Sequence, residues 1–164
     1  MTIRVRRATI ADAKTIVDFN FAIAKETERL DLDRKRLLRG VKALLKDASK
    51  GYYILGEIEG QIVGQLMITY EWSDWRAATF WWIQSVYVMP EFRGTGVFTR
   101  LFHYVEKAAR KNKSICGIRL YVEHGNARAK QTYEHLGMKQ ANYGMYEIDF
   151  VIKRSAIIAS QAKE

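Results

Sequence analysis

Apolar residues recur along this chain with two periods, and the switches between them mark the elements. Residues 3 to 7, Ile-Arg-Val-Arg-Arg, alternate apolar and basic, which predicts a short edge or half-buried strand. Thr9-Ile10-Ala11-Asp12 has the form of a capping box with Asp in place of Glu or Gln. Ala13, Ile16, Val17, Phe19, Asn20 and Ala24 follow at helical spacing, so a first helix is expected to reach about Glu28. A second helical pattern starts near Asp33 and places Leu37, Leu38, Val41, Leu44 and Leu45 on one face. It stops at Ala48-Ser49-Lys50-Gly51.

The period then changes to two. Two strand-like runs, 52–58 and 61–72, meet at a tight turn at Glu59-Gly60. A second turn around Ser73-Asp74-Trp75-Arg76 leads into a third run, 78–89. Residues 96 to 112 return to helical spacing, with Val97, Leu101, Val105 and Ala108 on one face. Lys107, Arg110, Lys111 and Lys113 crowd the C-terminal end, where cations suit the helix dipole. A further strand at 116–125, a short helix stopped by Gly137, and a last strand at 143–152 complete the pattern. The expected order is βααβββαβαβ, one mixed α/β domain of the α+β type over residues 1–152. A tail at 153–164 has no clear core face.

Composition narrows the class. With 164 residues, 48% hydrophobic and 27% charged, the chain is long enough for one domain with a real core. No stretch is apolar for long enough to span a bilayer, and the N-terminus lacks the apolar core of a signal peptide. A single cysteine, Cys116, excludes an intrachain disulfide framework and fits a reducing, cytoplasmic setting. Its apolar surroundings predict a buried, inert thiol. The net charge of +9 and pI near 9.7 favour an anionic partner. Zinc-finger spacing is absent and the basic residues are scattered over many elements, so nucleic acid is not the expected partner, and neither is a metal.

The candidate chemistry begins at Arg93-Gly94-Thr95-Gly96. A strand, a glycine turn and a helix start present backbone N–H groups and the positive end of a helix dipole to one point, a place for an anion. No Gly-Lys-Ser/Thr follows, so this is not a nucleoside-triphosphate loop, and Thr99 breaks the Gly-x-Gly-x-x-Gly spacing of a dinucleotide fold. By itself the turn is a weak signal, and a tight strand-to-helix corner is the commoner meaning of such a turn.

Two longer stretches extend it. "VYVMPEFRGTGVF" resembles the core motif of the GNAT N-acetyltransferase superfamily, Arg-x-x-Gly-x-Gly/Ala after a strand of the form Val-x-Val-x-Pro. "YVEHGNARAKQTYEHLGM" resembles that family's next segment, a strand, an Asn, then Ala-x-x-x-Tyr-x-x-x-Gly on a helix. The resemblance covers residues 1 to about 152 and implies a mixed, mostly antiparallel central sheet flanked by helices. It also implies acetyl transfer from acetyl-CoA to an amine by direct transfer in a ternary complex.

On that resemblance, Arg93, Gly94, Thr95, Gly96, Val97 and Phe98 would cradle the pyrophosphate of coenzyme A. Val86, Tyr87 and Val88 would pair with its pantetheine arm, and Asn126 would contact the same arm. Arg100, Arg128 and Lys130 would be in reach of the 3′-phosphate. Tyr133 matches the tyrosine that protonates the departing thiolate. Its ordinary pKa near 10, above a thiol's roughly 8.5, keeps it a donor at neutral pH. Phe98 departs from the family, which favours Gly or Ala there. Gln84 stands where many relatives carry a catalytic Glu, so the general base is vacant or moved. Glu28, Glu123 and His124 are the candidates.

For the acceptor, Glu26, Glu28, Asp31 and Asp33 form an acidic cluster. Trp72, Trp75, Trp81 and Trp82 offer aromatic walls, with Asp74 at a hairpin tip and Gln84 nearby. Carboxylates with aromatic faces suit a small cationic amine. Helix capping and hairpin packing explain the same residues equally well. Acetylation of a protein Nα-terminus or lysine, and a CoA-binding regulatory domain without turnover, stand as alternatives, with a homodimer left open.

Overall fold

Local signals early in the chain become tertiary contacts. The Asp12 carboxylate accepts the Thr9 N–H at 2.7 Å and the Thr9 hydroxyl at 3.1 Å, closing the expected box. It also accepts two hydrogen bonds from the Arg6 guanidinium, at 2.8 and 2.9 Å, and Arg6 reaches on to Glu57 at 2.6 Å. A helix start is thereby tied to two strands. The computed structural model describes residues 2–28 and 30–152. The side chain of Glu28 and the expected tail at 153–164 lie outside the described residues.

β1 (Arg4–Arg7) is the short edge strand its alternation predicts. α1 (Ala13–Ile23) follows, and its last turn, Ala24–Glu28, winds more widely as a π-helical turn. α2 (Arg34–Lys46) starts where Asp33 accepts the Arg36 N–H at 2.9 Å. β2 (Tyr52–Ile58) and β3 (Gln61–Ser73) form the expected hairpin. Its two turn residues, Glu59 and Gly60, both have positive φ, the backbone that a two-residue turn between twisted strands demands. β4 (Ala78–Val88), α3 (Val97–Lys111), β5 (Ile115–Leu120) and α4 (Ala127–His135) complete the series.

The strands lie in the order β1-β2-β3-β4-β5. All neighbours are antiparallel except β4 and β5, which run parallel across the α3 crossover. This is the mixed, mostly antiparallel sheet flanked by helices that the resemblance implies. α3 covers one face: Val97, Leu101, Phe102 and Val105 pack on Ile54, Leu66, Ile68, Trp81 and Ile83. α1 and α2 cover part of the other, with Ile16, Val17 and Val41 on Tyr53 and Leu55. Fully burying one such aliphatic side chain contributes about 1.5–3 kcal/mol, so these two stripes decide where the helices sit.

Two expectations are corrected. Residues 143–152 alternate as a strand should, yet they form no ladder with any described strand and stand exposed. Alternation supplies the faces of a strand, but a ladder also needs a free neighbouring edge in register. The described order therefore ends βααβββαβα. Cys116 is half-buried rather than buried, because β5 is an outermost strand.

Candidate functional site

The site begins with an irregularity in β4. Gln65 of β3 pairs with Tyr87 and Met67 pairs with Gln84, so Ser85 and Val86 together oppose Leu66. Ser85 holds φ at 49°, a left-handed backbone that non-glycine residues rarely adopt, and the strand bends there. β5 pairs with β4 only as far as Ile83 opposite Leu120. β5 ends at Leu120, so residues 84–88 of β4 have no described strand on that side. Val86, Tyr87 and Val88 thus present a backbone edge to a cleft.

Three polar residues support the bulge from behind. The Gln65 amide donates to Asn20 Oδ1 at 2.9 Å and to the Ser85 carbonyl at 3.3 Å, and the Asn20 amide donates to the Tyr53 hydroxyl at 3.0 Å. Gln65 is fully buried, and its Oε1 has no partner among the described residues. An orphaned buried acceptor is costly, which fits a strained element beside a site. Sequence reading passed over this group. Its trace was one Gln inside an apolar strand and one Asn on the apolar face of α1.

At the end of β4 the chain makes a short 3₁₀ turn, Pro90–Phe92, and then the glycine turn. Gly94 and Gly96 have φ of 80° and 88°, so both need the left-handed freedom of glycine. A side chain on Gly94 would sit 3.4 Å from the Arg128 guanidinium, so an arginine of α4 overlooks the turn. The first i→i−4 bond of α3 runs from the Arg100 N–H to the Gly96 carbonyl at 3.0 Å. The N–H groups of Val97, Phe98 and Thr99 precede it and have no acceptor within the helix. Thr95 turns its hydroxyl to the Phe92 carbonyl at 2.7 Å, fixing the corner. Backbone donors, an arginine and glycine clearance converge, as a diphosphate requires.

Arg93 is engaged otherwise. Its Nε donates to the Val88 carbonyl at 2.9 Å and its Nη2 meets Glu26 Oε2 at 2.6 Å, while the guanidinium lies over the Tyr87 ring. Arg93 therefore clamps the end of β4 to the π-helical turn, and Glu26 faces the glycine turn instead of standing free for an acceptor.

The Phe98 ring turns away from the turn. It packs edge-on to Tyr133, with centroids 5.6 Å apart, and also leans on Phe102. Burial alone raises the Tyr133 hydroxyl above its ordinary 10.0, so it keeps its proton across the physiological range. Asn126 caps α4 by accepting the Ala129 N–H at 3.0 Å, which leaves its amide nitrogen as the group that can meet a ligand. Lys130 is bound to the His124 carbonyl at 2.8 Å, and Glu123 accepts the Gly125 N–H at 3.1 Å, so both serve the loop before α4.

The expected acceptor residues do not come together as one wall. Trp81 is buried under α3, Trp75 stands exposed at the hairpin tip, and Trp72 is also largely exposed. Asp33 is a helix cap, and Asp74 holds the Trp75 N–H. Instead, β3, β4 and β5 gather a polar and aromatic patch on the sheet face opposite α3. Gln84 donates to the Thr69 hydroxyl, and Glu71 accepts from the Trp82 indole and from Arg119. Trp82 stacks on Tyr121 at 4.3 Å, and Arg119 lies 3.7 Å over the Phe80 ring. Glu71 was missed in the sequence, although period two from Thr69 places it on the face of Gln84 and Trp82.

Comparison with known proteins agrees with this fold. The model of the Acetyltransferase (GNAT) family matches residues 14–138. A possible acetyltransferase from Clostridium difficile 630 superposes with a TM-score of 0.83 at 48% identity, covering 92% of this chain and 99% of that one. An uncharacterized N-acetyltransferase of Archaeoglobus fulgidus is 26% identical over 142 residues, 85% of this chain and 95% of its own length. Mouse thialysine N-epsilon-acetyltransferase is 32% identical over 83 residues, 50% of this chain and 48% of its own. A predicted acetyltransferase from Clostridium acetobutylicum, solved with acetyl-CoA, shares the fold at 17% identity and a TM-score of 0.73, over 90% of this chain and 96% of that one. Among the described residues no helix is long and apolar enough to cross a membrane.

Proposed function

The chain belongs to the GNAT family of acetyltransferases, and from that membership we propose that it transfers an acetyl group from acetyl-CoA to a primary amine on a small cationic molecule. The observation that supports this reading is the succession of the open edge of β4 past Ser85, the glycine turn with the N-terminus of α3, and Tyr133 packed edge-on against Phe98 of that helix's first turn. Acetyl-CoA, when bound, supplies an acyl group activated as a thioester.

The chain's own residues do the rest. The Val97, Phe98 and Thr99 N–H groups and Arg128 hold the diphosphate. The backbone of residues 86–88 hydrogen-bonds the amide-bearing arm, as a strand edge does. Asn126 Nδ2 steadies the same arm. The bound ammonium first gives one proton to solvent; its neutral nitrogen then bonds to the carbonyl carbon as the C–S bond breaks, Tyr133 Oη would protonate the leaving sulfur, and the second proton shed by the nitrogen passes through solvent to restore the tyrosine. Metal ligation has no part in this scheme.

For the acceptor, the patch of Glu71, Trp82, Gln84 and Tyr121 offers a carboxylate framed by aromatic rings, which suits an ammonium group. Glu26 would add a second carboxylate once Arg93 turned to the diphosphate. The mouse relative, which by its name acts on an ε-amine, favours a terminal amine on a flexible chain. Calorimetry with CoA, followed by a thiol-release assay against polyamines, diamino acids, aminoglycosides and peptides, tests both steps. Release with cationic amines is expected. Absence of CoA binding at millimolar concentration, or exclusive use of acidic acceptors, overturns it.

A further inference from the structure

The patch on the sheet face opposite α3 holds more charge than an amine needs. Glu71 of β3, Phe80 and Trp82 of β4 and Arg119 of β5 form a row across three strands, with Glu71 opposite Phe80 and Trp82 opposite Arg119. Phe80 lies across Gly117 of β5, where a β-carbon would meet its ring at 2.6 Å, so no side chain lifts the ring off the sheet. Two guanidinium groups rest on that ring, Arg119 at 3.7 Å and Arg76 at 5.0 Å from its centroid. Arg119 pairs with Glu71, while Arg76 donates to the neutral Ser73 hydroxyl at 3.3 Å. The Arg119 and Glu71 side chains remain 35% and 39% exposed, so a ligand can reach both.

These charges decide against a ligand that carries ammonium groups alone. Such a ligand would draw Glu71 away from Arg119 and set its own charge beside two guanidinium groups, a like-charge contact without compensation. A ligand with a carboxylate next to an ammonium exchanges one ion pair for two. Its carboxylate takes the planar fork of Arg119 and its ammonium takes Glu71. An exposed pair such as Arg119 with Glu71 holds its members weakly, so the exchange costs little. The reacting amine then lies elsewhere on the same molecule. Trp82 precedes Ser85 by three residues, roughly 10 Å of strand, and the open edge of β4 begins past that bulge. Tyr121 follows Leu120, the residue opposite Ile83, and stacks on Trp82 at 4.3 Å. The two rings pave the way from the charged row toward the bulge, a surface that suits a flexible methylene chain.

We propose that the acceptor is a diamino carboxylic acid, bound by its α-amino acid head at Arg119 and Glu71, with the amine that receives the acetyl group at the far end of its side chain. This rests on the acetyl-transfer reading above and narrows its cationic amine to one class. The distal amine, having given one proton to solvent, bonds to the thioester carbonyl carbon as the C–S bond breaks. CoA leaves as the thiol, and the amine's second proton returns through solvent to the acid that protonated the sulfur. The head takes no part in bond making, so Arg119 and Glu71 select the substrate and hold it in register with the cleft.

Matched pairs that differ by the carboxylate test this on the full chain: lysine against cadaverine, and ornithine against putrescine, each followed by thiol release. The diamino acid of each pair is expected to show a kcat/KM about ten-fold higher, chiefly through KM. Mass spectrometry of the product is expected to place the acetyl group on the distal nitrogen. Arg119→Gln is expected to bring the ratio within each pair close to one, and Arg119→Lys, which keeps the charge, to restore part of it. Calorimetry on the CoA-loaded protein reads the same preference as a Kd, independently of turnover. Equal or higher kcat/KM for the diamines, acetylation of the α-nitrogen, or a preference that survives Arg119→Gln overturns the proposal. Release with other amines but with none of these four overturns the proposal alone. Release with no amine at all overturns the acetyl-transfer reading and the proposal with it.

Discussion

Phe98 stands where a small residue would leave more room, and the chain tolerates it because a helix's first turn uses its N–H and not its side chain. The ring instead packs on Tyr133, the proposed acid, so one residue joins the glycine turn to that tyrosine. Tyr133→Phe keeps that packing and removes only the Oη proton. It is expected to lower kcat about 10²-fold while leaving the Kd for CoA within a few-fold, read by steady-state kinetics beside calorimetry. Asp12 acts on stability rather than chemistry. The Arg6 guanidinium lowers its carboxyl from 3.8 to about 2 with the side chain nearly buried, so the ionised form is favoured on folding. The native pKa lies below the unfolded one, hence the stabilisation is complete above about pH 4 and is lost as pH falls toward 2. It is worth roughly 2 kcal/mol at neutral pH. Asp12→Asn should lower the urea midpoint at pH 7, and the two proteins should converge near pH 2.

At the scale of elements, the glycine turn and the β4 bulge do matched work. The bulge aims a backbone edge at the cleft, and the turn brings the α3 N-terminus to the same place. Gly96 is the N-cap of α3 at φ 88°, with open space where a side chain would stand. Gly96→Ala thus meets no clash and isolates the backbone strain, which costs about 1–2 kcal/mol in the left-handed region. The expected results are a melting temperature lowered by a few degrees and weaker CoA binding. An unchanged Kd would separate the turn from the cofactor. Helix α3 itself is held by its apolar stripe, so its register on the sheet does not depend on the turn.

Across the whole molecule, the contact between Arg93 and Glu26 joins the helical layer of α1 to the glycine turn over 67 residues of sequence. Both side chains are partly exposed, so the pair adds little to stability. Its consequence lies in binding, because Arg93 engaged with Glu26 is not available to a diphosphate. Glu26→Gln weakens that hold and is expected to tighten CoA binding a few-fold by calorimetry, with the gain shrinking at high salt. Equal or weaker binding would show that the pair places Arg93 instead of competing for it.

Much of this was legible in residue order, and the reason is physical. Helical stripes such as Val97, Leu101 and Val105, the Glu59-Gly60 turn, the Asp12 box and the Gly94/Gly96 corner each depend on neighbours within a few positions. Spacing along the chain therefore specifies them, and with them the five-stranded α+β fold. What required the folded chain were relations between distant residues. Glu26 became the partner of Arg93, the four tryptophans parted to opposite faces and ends of the sheet, and Glu71 met Trp82 and Arg119. The polar group behind Ser85 formed from α1, β2 and β3. Residues 143–152 kept the alternation of a strand but joined no ladder among the described residues, because pairing depends on which edge lies in register in space and no local period encodes that.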